Sequence, residues 1–133
     1  MAPPASSARF LTELAYEPAP GVECYFDLTA PLVYESVKAG RRIEADAGFR
    51  TNFVTGRKLL LVRRIVQDKM NRAAVIHDLL YETGEVSRSV ADDVFLEAML
   101  ACEVARWRAY AAWTAVRAMG WKFYRSPSKE QLA

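Results

Sequence analysis

Apolar and polar positions divide this chain into two unlike halves. In the first half the apolar residues come in short runs broken by turn formers. Residues 9–30 hold short extended segments interrupted by Pro18, Pro20 and Gly21, and residues 22–28 alternate loosely, as a half-buried strand does. Residues 32–37 read as another strand closed by Gly40, and residues 42–45 as a third. Residues 48–56 read as a loop or turn carrying Phe49 and Phe53, while the apolar and basic run 58–65 suits a strand or a helix. The second half changes period. A cap at Asp68 or Asn71 opens a helix to about Tyr81, with Ala73, Val75, Ile76, Leu79 and Leu80 as its packing surface. Thr83 and Gly84 end it, and Ser87 or Ser89 caps the next. The apolar marks of that next helix run from Phe95, Leu96, Met99 and Leu100 through Cys102, Val104, Trp107, Ala111 and Val116 to Met119, with Gly120 as its stop. Taken as one rod, residues 91–119 would span about 43 Å, longer than a small domain's diameter, so the rod bends, breaks near Arg106 and Trp107, or projects into a neighbour. The expected fold is α+β, with N-terminal β-hairpins packed against two antiparallel helices, the second long and rich in aromatics. The expected organisation is a flexible arm over 1–8, a single domain over 9–120 and a tail over 121–133.

Chemistry concentrates where the two helical segments meet. His77 is the sole histidine. His77, Asp78 and Tyr81 stand at i, i+1 and i+4, which puts His77 and Tyr81 on nearly one helix face and turns Asp78 away by about 100°. A general base needs an unprotonated ring nitrogen and an acceptor on the other nitrogen to hold one tautomer. Asp78 points poorly for that task. Asp92, on the following helix, is the better partner, and Asp93 faces elsewhere. Two readings stand side by side: a hydrolytic site of His77, Asp92 and Tyr81, and a buried hydrogen-bond latch that fixes helix register. Asp78 alone can begin a calcium site but lacks a glycine-rich carbonyl loop. With one histidine, metal-dependent histidine-aspartate phosphohydrolases and structural zinc sites lack their ligands. No spacing brings Cys24 or Cys102 onto His77 as a nucleophile.

Bulk properties narrow the class. The 133 residues amount to one domain. No apolar run reaches the roughly 18 residues of a membrane span. The first residues lack a basic segment followed by an apolar one, so no secretory signal is expected. Two cysteines, Cys24 and Cys102, make no disulfide framework, and synthesis in a reducing cytoplasm is expected. The net charge of +2 is unevenly laid out: residues 38–72 carry ten Lys/Arg against three Asp/Glu, and residues 78–103 carry seven Asp/Glu against one Arg. Residues 106–129 carry six basic residues and no acid. Internal complementarity or an assembled surface accounts for this layout. A nucleic-acid partner is not favoured, because zinc-finger spacing and a phosphate-binding glycine-lysine loop are both missing. The aromatic set Trp107, Tyr110, Trp113, Trp121, Phe123 and Tyr124 reads as core or protein interface.

Residues 74–81, then Ser87, Arg88, Ala91, Asp92 and Phe95, resemble a family found mainly in bacteriophages and prophages, the domain of unknown function numbered 1353. Its pattern continues into a long helix ending near residues 116–120. Residues 48–55 resemble its upstream loop, with Asn52 where the family usually has Asp and with Arg57 and Lys58 replacing its proline-arginine. The resemblance covers about residues 9–120 and implies phage origin more firmly than any chemistry.

Residues 74–99 also resemble the helix pair of phospholipases A2. Carried over, that resemblance implies that His77 activates water, Asp78 holds calcium, Asp92 orients His77 and Tyr81 supports the network. The glycine-rich calcium loop and paired cysteines of that family are absent here.

The first functional expectation is a phage-derived structural protein, associated with a virion or tail and binding other phage proteins or itself, with no cofactor. It would be made in the host cytoplasm and incorporated in the virion. The alternative is a calcium-dependent phospholipase A2-like or cell-envelope hydrolase using His77 and Asp92 on lipid ester or peptidoglycan. The first expects the face of residues 105–124 to lie against a subunit. The second expects an open groove reaching His77, with calcium near Asp78.

Overall fold

The computed structural model describes residues 7–23, 25–52 and 70–125. Among them the chain forms two three-stranded antiparallel sheets followed by helices, an α+β fold with its strands N-terminal. The strands are β1 (Arg9–Phe10), β2 (Tyr16–Pro18), β3 (Phe26–Leu28), β4 (Leu32–Ser36), β5 (Arg41–Ala45) and β6 (Arg50–Thr51). One sheet runs in the order β1-β4-β5 and the other in the order β2-β3-β6.

The β4–β5 hairpin shows why its residues take this form. Leu32 pairs with Ala45 and Tyr34 with Ile43, and all four side chains are buried. Arg42 and Glu44, the alternate positions of β5, face solvent. The turn closes through the Gly40 N–H to the Val37 carbonyl at 3.1 Å, with Gly40 at φ 68°, a left-handed conformation that glycine adopts without steric cost. The expected strands over 32–37 and 42–45 match β4 and β5, and the strand expected over 22–28 is confined to β3. The run 58–65 lies outside the described residues.

Three α-helices follow: α1 (Asn71–Thr83), α2 (Arg88–Ala101) and α3 (Arg106–Met119). Met70, not Asn71, occupies the N-cap of α1 and provides no side-chain cap, while Asp68 lies outside the described residues. Gly84 ends α1 at φ 63°, its N–H bonded to the Leu80 carbonyl. Ser87 caps α2 by accepting the Val90 N–H. The short connection returns α2 antiparallel to α1, and α3 runs back along α2.

The helical run expected over 91–119, too long for a small domain unless it bends, breaks near Arg106 and Trp107 or projects, does break: residues 102–105 separate α2 from α3. The break has a defined geometry. The Glu103 N–H bonds the Leu100 carbonyl and the Val104 N–H bonds the Met99 carbonyl, each at 3.1 Å, with Glu103 at φ 61°. This is a Schellman closure with glutamate in the left-handed position where glycine usually stands. Val104 then buries its side chain against the core, and the chain reverses. Gly120 does not act as a left-handed stop. It keeps helical dihedrals at φ −69° and begins a 3-10 turn, Gly120–Lys122.

The core joins both halves. Leu28, Leu32, Tyr34 and Ile43 from the sheets meet Val75, Ile76, Leu80, Val94, Phe95 and Met99 from α1 and α2. Glu97 of α2 ties this junction together: its carboxylate accepts the Tyr34 and Ser36 hydroxyls and the Lys38 N–H, each at 2.8 Å. On the other side of α2, small residues Ala109, Ala112 and Ala115 let α3 approach closely. Asp92 therefore sits on the central helix, between α1 and α3.

Candidate functional site

The site grows from one face of α1 against one face of α2. Residues at i and i+4 of α1 present the His77 ring and the Tyr81 ring toward Asp92. His77 Nε2 lies 2.8 Å from Asp92 Oδ1, and the Tyr81 hydroxyl donates to the same oxygen at 2.5 Å. The other carboxylate oxygen, Oδ2, accepts Arg117 Nη1 of α3 at 2.9 Å and lies 3.5 Å from Arg88 Nη1, one turn earlier on α2. Arg88 also donates to the Val116 and Arg117 carbonyls, so the same guanidinium binds the C-terminal end of α3. All three helices thus converge on one carboxylate.

Electrostatics keep that carboxylate ionised. Burial alone would raise the Asp92 pKa, but hydrogen bonds from His77, Tyr81 and Arg117 hold it below its ordinary value. For Tyr81, burial first and then its bond to Asp92 push the phenol upward, so it remains a hydrogen donor. An ionised Asp92 can only accept. In a neutral imidazole facing it, the ring proton therefore sits on Nε2 and the lone pair on Nδ1. Nδ1 is buried and, among the described residues, has no hydrogen-bond partner.

The ring itself is stacked between Tyr81 and Phe95, at centroid separations of 4.1 and 4.7 Å. His77 is 2% exposed. Among the described residues no open groove of the kind the hydrolase expectation called for reaches His77: packing of both rings and the α1–α2 interface covers the imidazole.

Asp78 sits one step around α1, as its spacing implies, and belongs to a different contact. Its Oδ2 accepts the Thr51 hydroxyl at 2.5 Å and the Asn52 N–H at 3.3 Å, which fastens α1 to the end of β6. Among the described residues, no three His, Cys, Asp or Glu side chains converge as a metal site. Calcium takes about six to eight oxygen ligands. One carboxylate occupied by two donors does not fit that requirement.

The expected aromatic interface divides. Trp107, Tyr110, Trp121 and Phe123 are exposed, whereas Trp113 and Tyr124 are half-buried. Trp113 Nε1 donates to Asp93 at 3.2 Å, and the Tyr124 hydroxyl donates to the Val86 carbonyl. Cys102 is half-buried at the end of α2, and burial raises its thiol pKa. Arg88, Arg117 and Phe95 are parts of the site that sequence reasoning did not assign to it. Arg88 carries a local signal, since it stands four residues before Asp92 on one helix. Arg117 reaches Asp92 only through the fold.

A protein-family model described as "Protein of unknown function (DUF1353)" matches residues 26–116, which include both helices of the site and most of α3. No curated protein and no solved structure matches the chain.

Proposed function

The chain belongs to the DUF1353 family of proteins of unknown function, and for this member we propose a hydrolase in which His77 is the general base. The reading is carried by one observation: His77 is held through Nε2 by Asp92 while its buried Nδ1 has no partner among the described residues. A purely structural latch would satisfy both ring nitrogens, because a buried polar atom left unbonded costs roughly 1–3 kcal/mol. A base requires the opposite arrangement, with one nitrogen tied and the other carrying a free lone pair.

In the proposed reaction, Nδ1 takes a proton from water as the water oxygen attacks an ester carbonyl. Asp92 stabilises the imidazolium and keeps it oriented. The carbonyl carbon–oxygen bond to the leaving group then breaks, and the imidazolium returns its proton to the departing alcohol oxygen. Tyr81, Arg88 and Arg117 are positioning residues that act through Asp92. The substrate class is a carboxylic ester of an envelope lipid, in keeping with the likeness of residues 74–99 to the phospholipase A2 helix pair. Because the ring is covered, the reading requires that substrate reach Nδ1 by local opening of the α1 face.

The test compares wild type with His77→Asn on mixed phospholipid micelles, titrating released fatty acid with added calcium and again with chelator. The expected result is release by wild type and a loss of about 100-fold or more in the variant, with unchanged circular dichroism. Equal rates in both proteins, or no release by wild type, would overturn it.

The virion or tail role is the second proposal. It draws on the exposed rings Trp107, Tyr110 and Trp121, which a neighbouring subunit would cover. It leaves the unpartnered nitrogen of His77 without a purpose and for that reason stands second.

A further inference from the structure

An imidazole that is 2% exposed has to be uncovered before it can act, and the two rings stacked on it are held very differently. Phe95 stands in the middle of α2, fully buried in the core that α2 shares with α1 and the sheets. Moving it means opening that core, which is close-packed on every side. Tyr81 stands in the last turn of α1, three residues before the Gly84 stop. Helix ends open at a lower free energy than core elements do.

Tyr81 in turn packs against a short strap, residues 120–125, that leaves the end of α3. The strap meets it at three points. Gly120 lies so near the phenol that a Cβ there would collide with the hydroxyl. The Tyr124 ring stands edge-on to the Tyr81 ring at a centroid separation of 5.4 Å. The Arg125 N–H bonds the Tyr81 carbonyl at 2.9 Å. A further bond, from the Tyr124 hydroxyl to the Val86 carbonyl, fastens the strap to the α1–α2 connection. Trp121, Lys122, Phe123 and Arg125 already face solvent, so lifting the strap uncovers little new surface. The dyad survives such a movement. When the Tyr81 hydroxyl leaves for water, Asp92 keeps His77 on one oxygen and Arg117 on the other.

We propose that residues 120–125 are the gate of the His77 site. Release of the strap lets the Tyr81 ring turn off the imidazole, and solvent or substrate then reaches Nδ1 while the bond to Asp92 persists. The gate rests on the hydrolase reading for its purpose, but its movement is measured without any hydrolysis.

The test is the rate at which diethyl pyrocarbonate modifies the full chain. The reagent acylates an uncharged imidazole nitrogen that solvent reaches, with loss of carbon dioxide and ethanol. His77 is the sole histidine, so the ultraviolet absorbance of carbethoxyimidazole counts openings at this ring alone. Amide hydrogen exchange is followed in parallel. In wild type, the slowing of His77 relative to a free imidazole should agree within a few-fold with the protection of the Arg125 amide. Both should lie on the order of tenfold or more below the protection of the α2 core amides. Tyr124→Phe, which removes the bond to Val86 and keeps the ring, should speed carbethoxylation about 2- to 10-fold, the worth of one hydrogen bond. Ile43→Val is the matched control. It weakens the buried sheet core by a similar amount and should leave the rate unchanged. Equal acceleration by both variants would mean that only global unfolding uncovers His77, and would overturn the gate. So would a Tyr124→Phe rate equal to that of wild type, or a His77 as protected as the α2 core. The expected rates without fatty-acid release would remove the hydrolase reading and leave the gate standing. Fatty-acid release with a His77 rate indifferent to Tyr124 would do the reverse.

Discussion

His77 Nε2 and Asp92 Oδ1 stand 2.8 Å apart in the buried space between α1 and α2, on side chains that are 2% and 0% exposed. Two polar groups in such a place constrain each other. Asp92 can accept from the ring but cannot give, and its other oxygen is fixed by Arg117. The relationship sets the direction of the ring and the tautomer it holds.

Replacing Asp92 with Asn removes the charge that both arginines and the imidazole face. An amide can still accept at one atom, but its NH2 cannot satisfy Arg117 or Tyr81. Asp92→Asn is expected to destabilise the fold by about 1–3 kcal/mol, read as a lower urea midpoint. Under the hydrolase reading it also reduces kcat more than it raises KM, because the tautomer is released while substrate contacts persist. Unchanged stability and unchanged kcat would contradict the assignment.

Acid should loosen the same junction. The folded pKa of Asp92 lies below its ordinary 3.8, so the unfolded chain binds the proton more readily. Its contribution is therefore fully present above about pH 4 and is lost as pH falls through the lower folded value. Urea midpoints measured from about pH 5 down to about pH 2 should fall more steeply for wild type than for Asp92→Asn. Asp27 also titrates there, lowered chiefly by its hydrogen bond from Arg50, but that pair lies at the surface, with Arg50 exposed and Asp27 half-buried. Asp27→Asn should thus keep most of the wild-type slope.

Gly120 is needed for space and not for its dihedral. A Cβ there would run into the Tyr81 hydroxyl, the group that donates to Asp92. Tyr81 cannot simply swing aside, since its ring packs on His77 and Tyr124. Gly120→Ala should cost about 1–3 kcal/mol. In a Tyr81→Phe background, where the clashing oxygen is gone, the same change should cost less. Equal costs in both backgrounds would remove Tyr81 as the cause.

Glu103 makes the opposite prediction. It is exposed and holds φ 61°, a conformation that costs a side-chain-bearing residue roughly 1 kcal/mol or more. Glu103→Gly should raise the thermal midpoint by the equivalent of about 0.5–1 kcal/mol, once the greater entropy of the unfolded glycine is set against the relieved strain. A lowered midpoint would show that the closure draws on a contact of the Glu103 side chain.

That glutamate also explains where the second helix breaks. The apolar period runs on from Phe95 to Met119, and no glycine or proline interrupts it, so only the length of the run called for a bend, a break or a projection, without marking which. The turn is made by backbone bonds from residues 103 and 104 and by burial of Val104, none of which leaves a residue-type mark. The α1–α2 junction is legible for the converse reason. Gly84 and Ser87 are the usual stop and start residues, and helical spacing from them brings His77 and Tyr81 to Asp92. Contacts that span the fold carried no such mark: Arg117 on Asp92, Thr51 on Asp78, and Glu97 on β4 depend on how separate elements dock.

The account turns on which nitrogen of one imidazole carries the free lone pair. Because His77 is the sole histidine, its ring nitrogens can be read directly by 15N NMR of the full chain, with long-range couplings to the ring carbons' protons. For the neutral ring, the predicted spectrum has the proton on Nε2, bonded to Asp92, and an unprotonated Nδ1. A proton on Nδ1 would contradict the dyad geometry and, with it, the role of His77 as a base.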